Sequence, residues 1–209
     1  MAWDNNGNNK VLTPGHNISV AEGDMMYIDA LKGKLYVVPV SGWFFTHFGS
    51  EVSYSKNWVF LSDLLWYTRW KDILNLGPRF IEIIIWNDYG ESHYIGSLAS
   101  SHTDDGASEW VMDMSHGGWL QMSKPFIFVY KAGDRAVDSH IEDEKLVYWY
   151  RFMSRTLNCN NTDFIMRGSL DNSTGNFFRD RSNGWEIMQD QVFVVSLFKF
   201  SAMVEVILG

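Results

Sequence analysis

The sequence predicts an α/β chain in which parallel βα units are followed by a β-rich C-terminal region. Two observations carry the first half of that expectation. Helical and strand-like patterns alternate as helix, strand, helix, strand between residues 24 and 86, at a spacing suited to parallel units with right-handed crossovers. The strand candidates are also short, nearly continuous apolar runs, as expected for strands covered on both faces. A third observation carries the second half: past Gly133 to His140 the helical pattern gives way to apolar runs separated by turn residues. At 209 residues, and roughly 150 residues per domain, the chain is one large domain or one with a small appendage. The expected division is 1–135 and 140–209.

Each element has its own signal. Asp24 to Leu31 (DMMYIDAL) reads as a short helix, with Asp24 as N-cap and Gly33 as stop. Leu35 to Val40 (LYVVPV) is rich in β-branched and aromatic residues and reads as a strand buried on both faces. Ser62 to Asn75 carries apolar residues at 65, 66, 70, 73 and 74, spaced for one helical face, with Ser62 able to cap and Gly77-Pro78 ending the run. Phe80 to Trp86 (FIEIIIW) reads as a second buried strand, and Trp119 to Ala132 as a further helix. In the second part Lys145 to Arg151, Val192 to Lys199 and Met203 to Leu208 read as strands, divided by the loop-forming segments NCNNTD, LDNSTGN and RSNG.

Composition narrows the function. Hydrophobic residues make up 46% and charged residues 20%, ordinary globular usage that argues against disorder. Ten Trp, nine Tyr and fourteen Phe, 16% of the chain, suit a protein whose ring faces meet sugars, bases or other flat ligands. The net charge of −8 opposes attraction to a phosphate backbone or an anionic membrane, so neither nucleic acid nor membrane is an expected partner. The charge-free stretch Leu35 to Ser50 is broken by Pro39, Ser41, Gly42, Thr46 and His47 and falls short of the roughly 20 apolar residues that span a bilayer. The start MAWDNNGNNK lacks the basic and apolar segments of a secretory signal, and the lone Cys159 forms no internal disulfide. Both features read as cytoplasmic for the chain as written. Sequons at Asn17, Asn160 and Asn172 lean weakly the other way, a combination that a piece of a longer secreted parent would show.

The richest chemical signal is Trp86-Asn87-Asp88-Tyr89-Gly90-Glu91-Ser92-His93-Tyr94-Ile95-Gly96, which begins where the second strand ends. In βα architectures catalytic groups sit there, because the strand fixes the backbone while the loop is free to meet substrate. A polar loop that caps the next helix is the plainer alternative. Embedding among Trp86, Tyr89 and Tyr94 favours chemistry, since partial desolvation raises the pKa of one carboxylic acid into a useful range. The first strand leads into Ser41-Gly42-Trp43-Phe44-Phe45-Thr46-His47-Phe48, four rings in six residues with a histidine, which makes either a sugar-stacking platform or a hydrophobic plug. Ser101-His102-Thr103-Asp104-Asp105-Gly106 reads first as a plain loop, with hydroxyl binding the alternative.

Other chemistries lack their motifs. The six histidines form no HExxH or Cys/His cluster, and Asp171-Asn172-Ser173-Thr174-Gly175 lacks the closing Glu of a calcium loop. GxGxxG after a strand, GxxxxGK[ST] and GxSxG are absent too. No metal or cofactor is expected, and Cys159, in an Asn-rich loop without a neighbouring histidine, reads as inert or as an orphaned disulfide half.

The string WNDYGESHYIG, preceded by FIEIII and followed by HTDDGA, resembles the signature of the fungal α-1,3-glucanases, or mutanases, of glycoside hydrolase family 71. VSGWFFTHFG, SKNWVF, LWYTRW, GGWLQMSKPFI and NSTGNFFRDRSNGWE resemble the same family in the same order. The resemblance runs from about Ala21 to the C-terminus. It implies a secreted or cell-wall endo-hydrolase of α-1,3-glucan acting with inversion, on a (β/α)8 TIM barrel followed by a β-rich region. Residues 1–135 would be the C-terminal portion of that barrel and 140–209 an accessory region. Asp88 and Glu91 match the family's acidic positions and take the acid and base roles, in unassigned order, with Trp43, His47, Trp86, Asn87, Tyr89 and His93 lining the glucan subsites. The sequence departs from the family at Gly42, Ile85 and Ser97, where Pro, Thr or Ser, and Pro are usual.

A full barrel takes about 250 residues, so the two clear strands would be its last two and the chain an N-terminally truncated member. Its second functional reading is therefore a non-catalytic carbohydrate-binding or wall-associated protein. Each Ile, Val or Phe left exposed by missing strands forfeits about 1.5 to 3 kcal/mol, against about 5 to 15 kcal/mol for a whole domain. The isolated chain is thus expected to be marginal, aggregating or pairing with another copy.

Overall fold

A computed structural model of the chain describes residues 20–47, 57–59, 63–98, 108–158, 185 and 188–207. Its elements are α1 (Val20–Leu31), β1 (Val37–Ser41), β2 (Phe45–His47), β3 (Asn57–Val59), α2 (Leu65–Leu76), β4 (Phe80–Ile84), α3 (Ser108–Val111), α4 (Gly117–Ala132), a 3-10 turn (Val137–His140), β5 (Lys145–Trp149) and β6 (Phe193–Leu197). The α/β character read from the sequence is borne out. β1 and β4 pair in parallel, from Val37 opposite Phe80 to Ser41 opposite Ile84. β2 and β3 pair antiparallel, as do β5 and β6, with Lys145 opposite Leu197 and Trp149 opposite Phe193.

The 3-to-4-residue spacing in α2 buries Trp66, Trp70, Ile73 and Leu74 against Val38 and Val40 of β1 and Trp119, Met122, Phe126 and Val129 of α4. Val147 of β5 and Val195 and Leu197 of β6 belong to the same cluster. Two glycines stop the long helices as the sequence indicates for the first of them. Gly77 takes a left-handed φ of 61° and donates its N–H to the Ile73 carbonyl. Gly133 does the same at φ 68°, with Asp134 N–H reaching the Val129 carbonyl at 3.0 Å, a Schellman closure. The capping role read for Ser62 lies outside the described residues.

Four expectations are corrected. Asp24 is not an N-cap: α1 begins at Val20, and Asp24 is buried one turn in, where it pairs with Arg69 of α2. A buried guanidinium demands a carboxylate more strongly than a helix end does. β1 is not covered on both faces, since Val38 and Val40 are fully buried while Val37 is 47% exposed. β4 is more open still: none of its five residues is buried, because among the described residues only β1 lies beside it. Finally, residues 203–207 form no strand and are exposed; among the described residues no strand pairs with them.

Candidate functional site

The segment after β4 folds back on its own strand end. Ile95 donates to the Ile85 carbonyl at 3.1 Å, Gly96 to that of Trp86 at 2.9 Å, and Ile85 to that of His93 at 3.3 Å. Inside this hairpin-like closure lies a tight turn, in which His93 N–H meets the Asp88 carbonyl at 2.9 Å and Ser92 N–H meets that of Tyr89 at 3.0 Å. Ser92 takes a positive φ of 48° to make it. The Asp88 carboxylate accepts the Glu91 backbone N–H at 3.2 Å, so one candidate acid fixes the backbone of the other. A second tether comes from β2, where Phe45 N–H donates to the Glu91 carbonyl at 3.1 Å. The two strand-end segments are thereby joined edge to edge.

Beneath the turn the side chains are packed and hydrogen-bonded. His93 is buried, its Nε2 2.6 Å from the hydroxyl of Ser41 at the tip of β1, and Phe44 meets its ring edge-on. Burial pushes its pKa down to about 4, partly opposed by the Glu91 carboxylate. Tyr89 is buried against Tyr94, with ring centroids 5.0 Å apart; its hydroxyl donates to the Ser97 carbonyl and its own carbonyl accepts from the Trp110 indole. Tyr94 stacks on His116 at 4.0 Å, and burial raises its hydroxyl to about 12. His116 Nδ1 lies 2.7 Å from the Tyr94 carbonyl, an acceptor that fixes the proton on Nδ1, and burial lowers its pKa to about 4. The ring is therefore neutral, with an acceptor lone pair on Nε2.

A cavity of about 680 Å³ opens beside this loop. Trp43, Phe45, His47 and Ser92 line it together with Trp110, His116, Trp119, and β5 with the residues after it. Of the residues singled out in the sequence, Trp43 and His47 line this cavity. Asp88 and Glu91 stand on the adjoining turn, next to the lining residue Ser92. Trp86 and Asn87 are exposed, with Trp86 lying over Gly96, and Tyr89 and His93 are buried below.

Sequence reasoning passed over Ser41, Trp110, His116 and the rings of β5, and took Tyr94 only as a ring desolvating the carboxylates. Ser41 stood inside a segment already noted, and the density of polar and aromatic residues there was its only signal. The others come from distant segments. Among the described residues no three His, Cys, Asp or Glu side chains converge as a bound metal would require, and no helix is long and apolar enough to cross a membrane.

The chain is similar to several fungal proteins. A mutanase of Penicillium rubens is 46% identical over 151 residues, 72% of this chain and 32% of that protein. A glucan endo-1,3-alpha-glucosidase of Schizosaccharomyces pombe is 37% identical over 177 residues, 85% of this chain and 36% of that protein. An ascus wall endo-1,3-alpha-glucanase, also of Schizosaccharomyces pombe, is 33% identical over 159 residues, 72% of this chain and 35% of that protein. The chain spans about a third of the length of these curated relatives. No solved structure matches it. The profile of glycosyl hydrolase family 71 matches residues 1–209, and with a parallel strand pair whose tips present the acidic, aromatic loop just described, the chain belongs to that family.

Proposed function

We propose that the chain is the part of an endo-α-1,3-glucanase that carries its acid/base pair, with Asp88 and Glu91 sharing the two roles. The observation that carries this reading is the tethered turn after β4, which bears both carboxylates and adjoins Ser92 of an aromatic cavity. In an inverting hydrolysis one protonated carboxylic acid gives its proton to the leaving oxygen, while the other carboxylate takes a proton from the attacking water, the pair standing about 6.5 to 9.5 Å apart. Tethering by Phe45 and by the Asp88 carboxylate supports such pre-organisation. Trp43 and His47 supply a stacking face and a polar contact for the glucan, Trp86 and Asn87 the solvent side of the loop, and Tyr89 and His93 its foundation.

The same proposal takes β1 and β4 as neighbouring strands of a (β/α)8 barrel that covers residues 1–135, takes 140–209 as its β-rich accessory region, and places the protein's action outside the cell or in the wall, on α-1,3-glucan. Insoluble α-1,3-glucan incubated with the protein in its full-length form should release reducing ends. Asp88→Asn and Glu91→Gln should each lower that rate by about 10²- to 10⁴-fold. Wild-type rates in both variants would remove these residues from the mechanism.

A second reading, a non-catalytic glucan-binding protein, is favoured by one observation: neither Asp88 nor Glu91 lines the cavity itself. Retention on α-1,3-glucan with no reducing ends released would decide for it.

A further inference from the structure

The part of the cavity lining formed by β5 and the residues after it carries a feature that hydrolysis alone does not require. β5 alternates its side chains: Val147 is buried in the core and Trp149 packs against it, whereas Tyr148 and Tyr150 point the other way and are 62% and 50% exposed. Phe152, just past the strand, continues the outward row at 68% exposed. The three rings form a ladder. Tyr148 and Tyr150 lie parallel, 11° apart with centroids at 6.5 Å, the repeat of a strand at alternate residues. Tyr150 and Phe152 meet edge to face at 5.4 Å.

We propose that this ladder is a sugar-stacking track, on which a neutral α-glucan chain lies as it runs towards the acidic turn. The proposal rests on the glucanase reading above and adds the path of the substrate beyond the reacting bond.

Three features select a sugar polymer as the occupant. Tyr148, Tyr150 and Phe152 line the same cavity as Trp43, His47 and Ser92, and Ser92 adjoins Glu91 on the turn that also bears Asp88. Ring faces offer apolar area to the C–H faces of sugars, and phenol hydroxyls at two of the three rungs add hydrogen bonds. The ladder is also flanked by polar groups suited to hydroxyls: Ser154, whose hydroxyl donates to Asp190 at 2.7 Å, and Arg151, whose guanidinium lies 3.6 Å from the same carboxylate. Those charges are paired with one another, which suits a neutral ligand better than an ionic one.

Retention on insoluble α-1,3-glucan, and quenching of tryptophan fluorescence by α-1,3-gluco-oligosaccharides of increasing length, test the track in the protein in its full-length form. Wild type should gain affinity with oligosaccharide length. The triple variant Tyr148→Ala, Tyr150→Ala, Phe152→Ala should lose that gain and bind the polymer about tenfold less tightly, while Tyr150→Trp retains it and Phe128→Ala, on an exposed ring of α4 away from the cavity, leaves binding unchanged. The single variant Tyr150→Ala, checked for an unaltered melting temperature, serves if the triple variant does not fold. Unchanged polymer affinity in folded ladder variants overturns the track, and leaves the glucanase reading standing if Asp88→Asn still abolishes hydrolysis. A wild-type dimer in sedimentation that the ladder variants disperse, with glucan binding intact, overturns the track in favour of a second copy of the chain. Wild type that neither binds nor cleaves α-1,3-glucan sinks both readings.

Discussion

Arg69 makes the case for reading single residues by their partners. It is buried in the middle of an apolar helix face, yet each of its three guanidinium nitrogens has a partner: both terminal nitrogens reach the Asp24 carboxylate, and Nε donates to the Pro39 carbonyl at 2.8 Å. Tyr36 adds a hydroxyl donor to Asp24 at 2.9 Å, and burial, reinforced by that carboxylate, pushes the Tyr36 pKa up to about 12. Removing one member of such a pair strands the other, so Asp24→Ala should cost about 3 to 5 kcal/mol in chemical denaturation. The double replacement Asp24→Leu, Arg69→Met should cost less than either single change; a larger loss would show that the pair itself stabilises.

The two buried histidines set a pH dependence. An unfolded histidine takes its proton near 6.5, whereas His93 and His116 resist it until about 4. Between those values the unfolded chain holds protons that the folded chain refuses, so stability is complete above pH 6.5 and declines as pH falls towards 4. The slope is at most about 1.4 kcal/mol per pH unit for each histidine. Thermal melts from pH 7 to pH 4.5 should fall less steeply in His93→Gln than in wild type, and parallel curves would refute the assignment.

At the scale of elements, close backbone approaches set the sites. A Cβ on Gly96 would lie 2.7 Å from both the Trp86 ring and its carbonyl oxygen, so the loop closes only because residue 96 has none. Gly96→Ala should push Trp86 aside and loosen the turn carrying Asp88 and Glu91, lowering kcat more than stability. Steady-state kinetics beside a melting curve separate the two. Likewise a Cβ on Gly118 would meet Val147 Cγ1 at 2.9 Å, which makes α4 and β5 sensitive to any larger residue there.

These elements were unequally legible. α2 and α4 could be read because spacing, apolar face and terminal glycine all agree, and the parallel strand pair followed from their alternation. Asp24 was misread because an acidic residue early in a helix has two uses, and only its contact with a residue 45 positions away decides between them. FIEIIIW and MVEVIL have strand composition, yet burial depends on neighbours that composition does not specify. The acidic turn was legible as one unbroken string. Its support was not: Ser41 and His93 lie 52 positions apart, and the rings of β5 meet the cavity only through folding.

For the whole molecule, the unburied face of β4 and the exposed Phe80 and Ile85 leave several apolar contacts unmade. Each forgone burial is worth about 1.5 to 3 kcal/mol. The 209-residue chain on its own should therefore associate or melt low, and light scattering with thermal melts tests this. A monomer with a sharp transition above about 55 °C, within the usual mesophile range, would mean that the segment folds independently and that the open strands cost little.

The bond between Arg69 and Pro39 decides where such association begins. Pro39 has no N–H to give, and its carbonyl is already occupied by Arg69. A strand zipping along the outer side of β1 would thus find one rung missing, whereas β4 opposes it with an unbroken run of five residues, Phe80–Ile84. Natural proteins guard edges with this kind of gap. Contagion between copies should therefore start from β4. Phe80→Lys should suppress it more than Val37→Lys, although the two positions face each other across the same ladder.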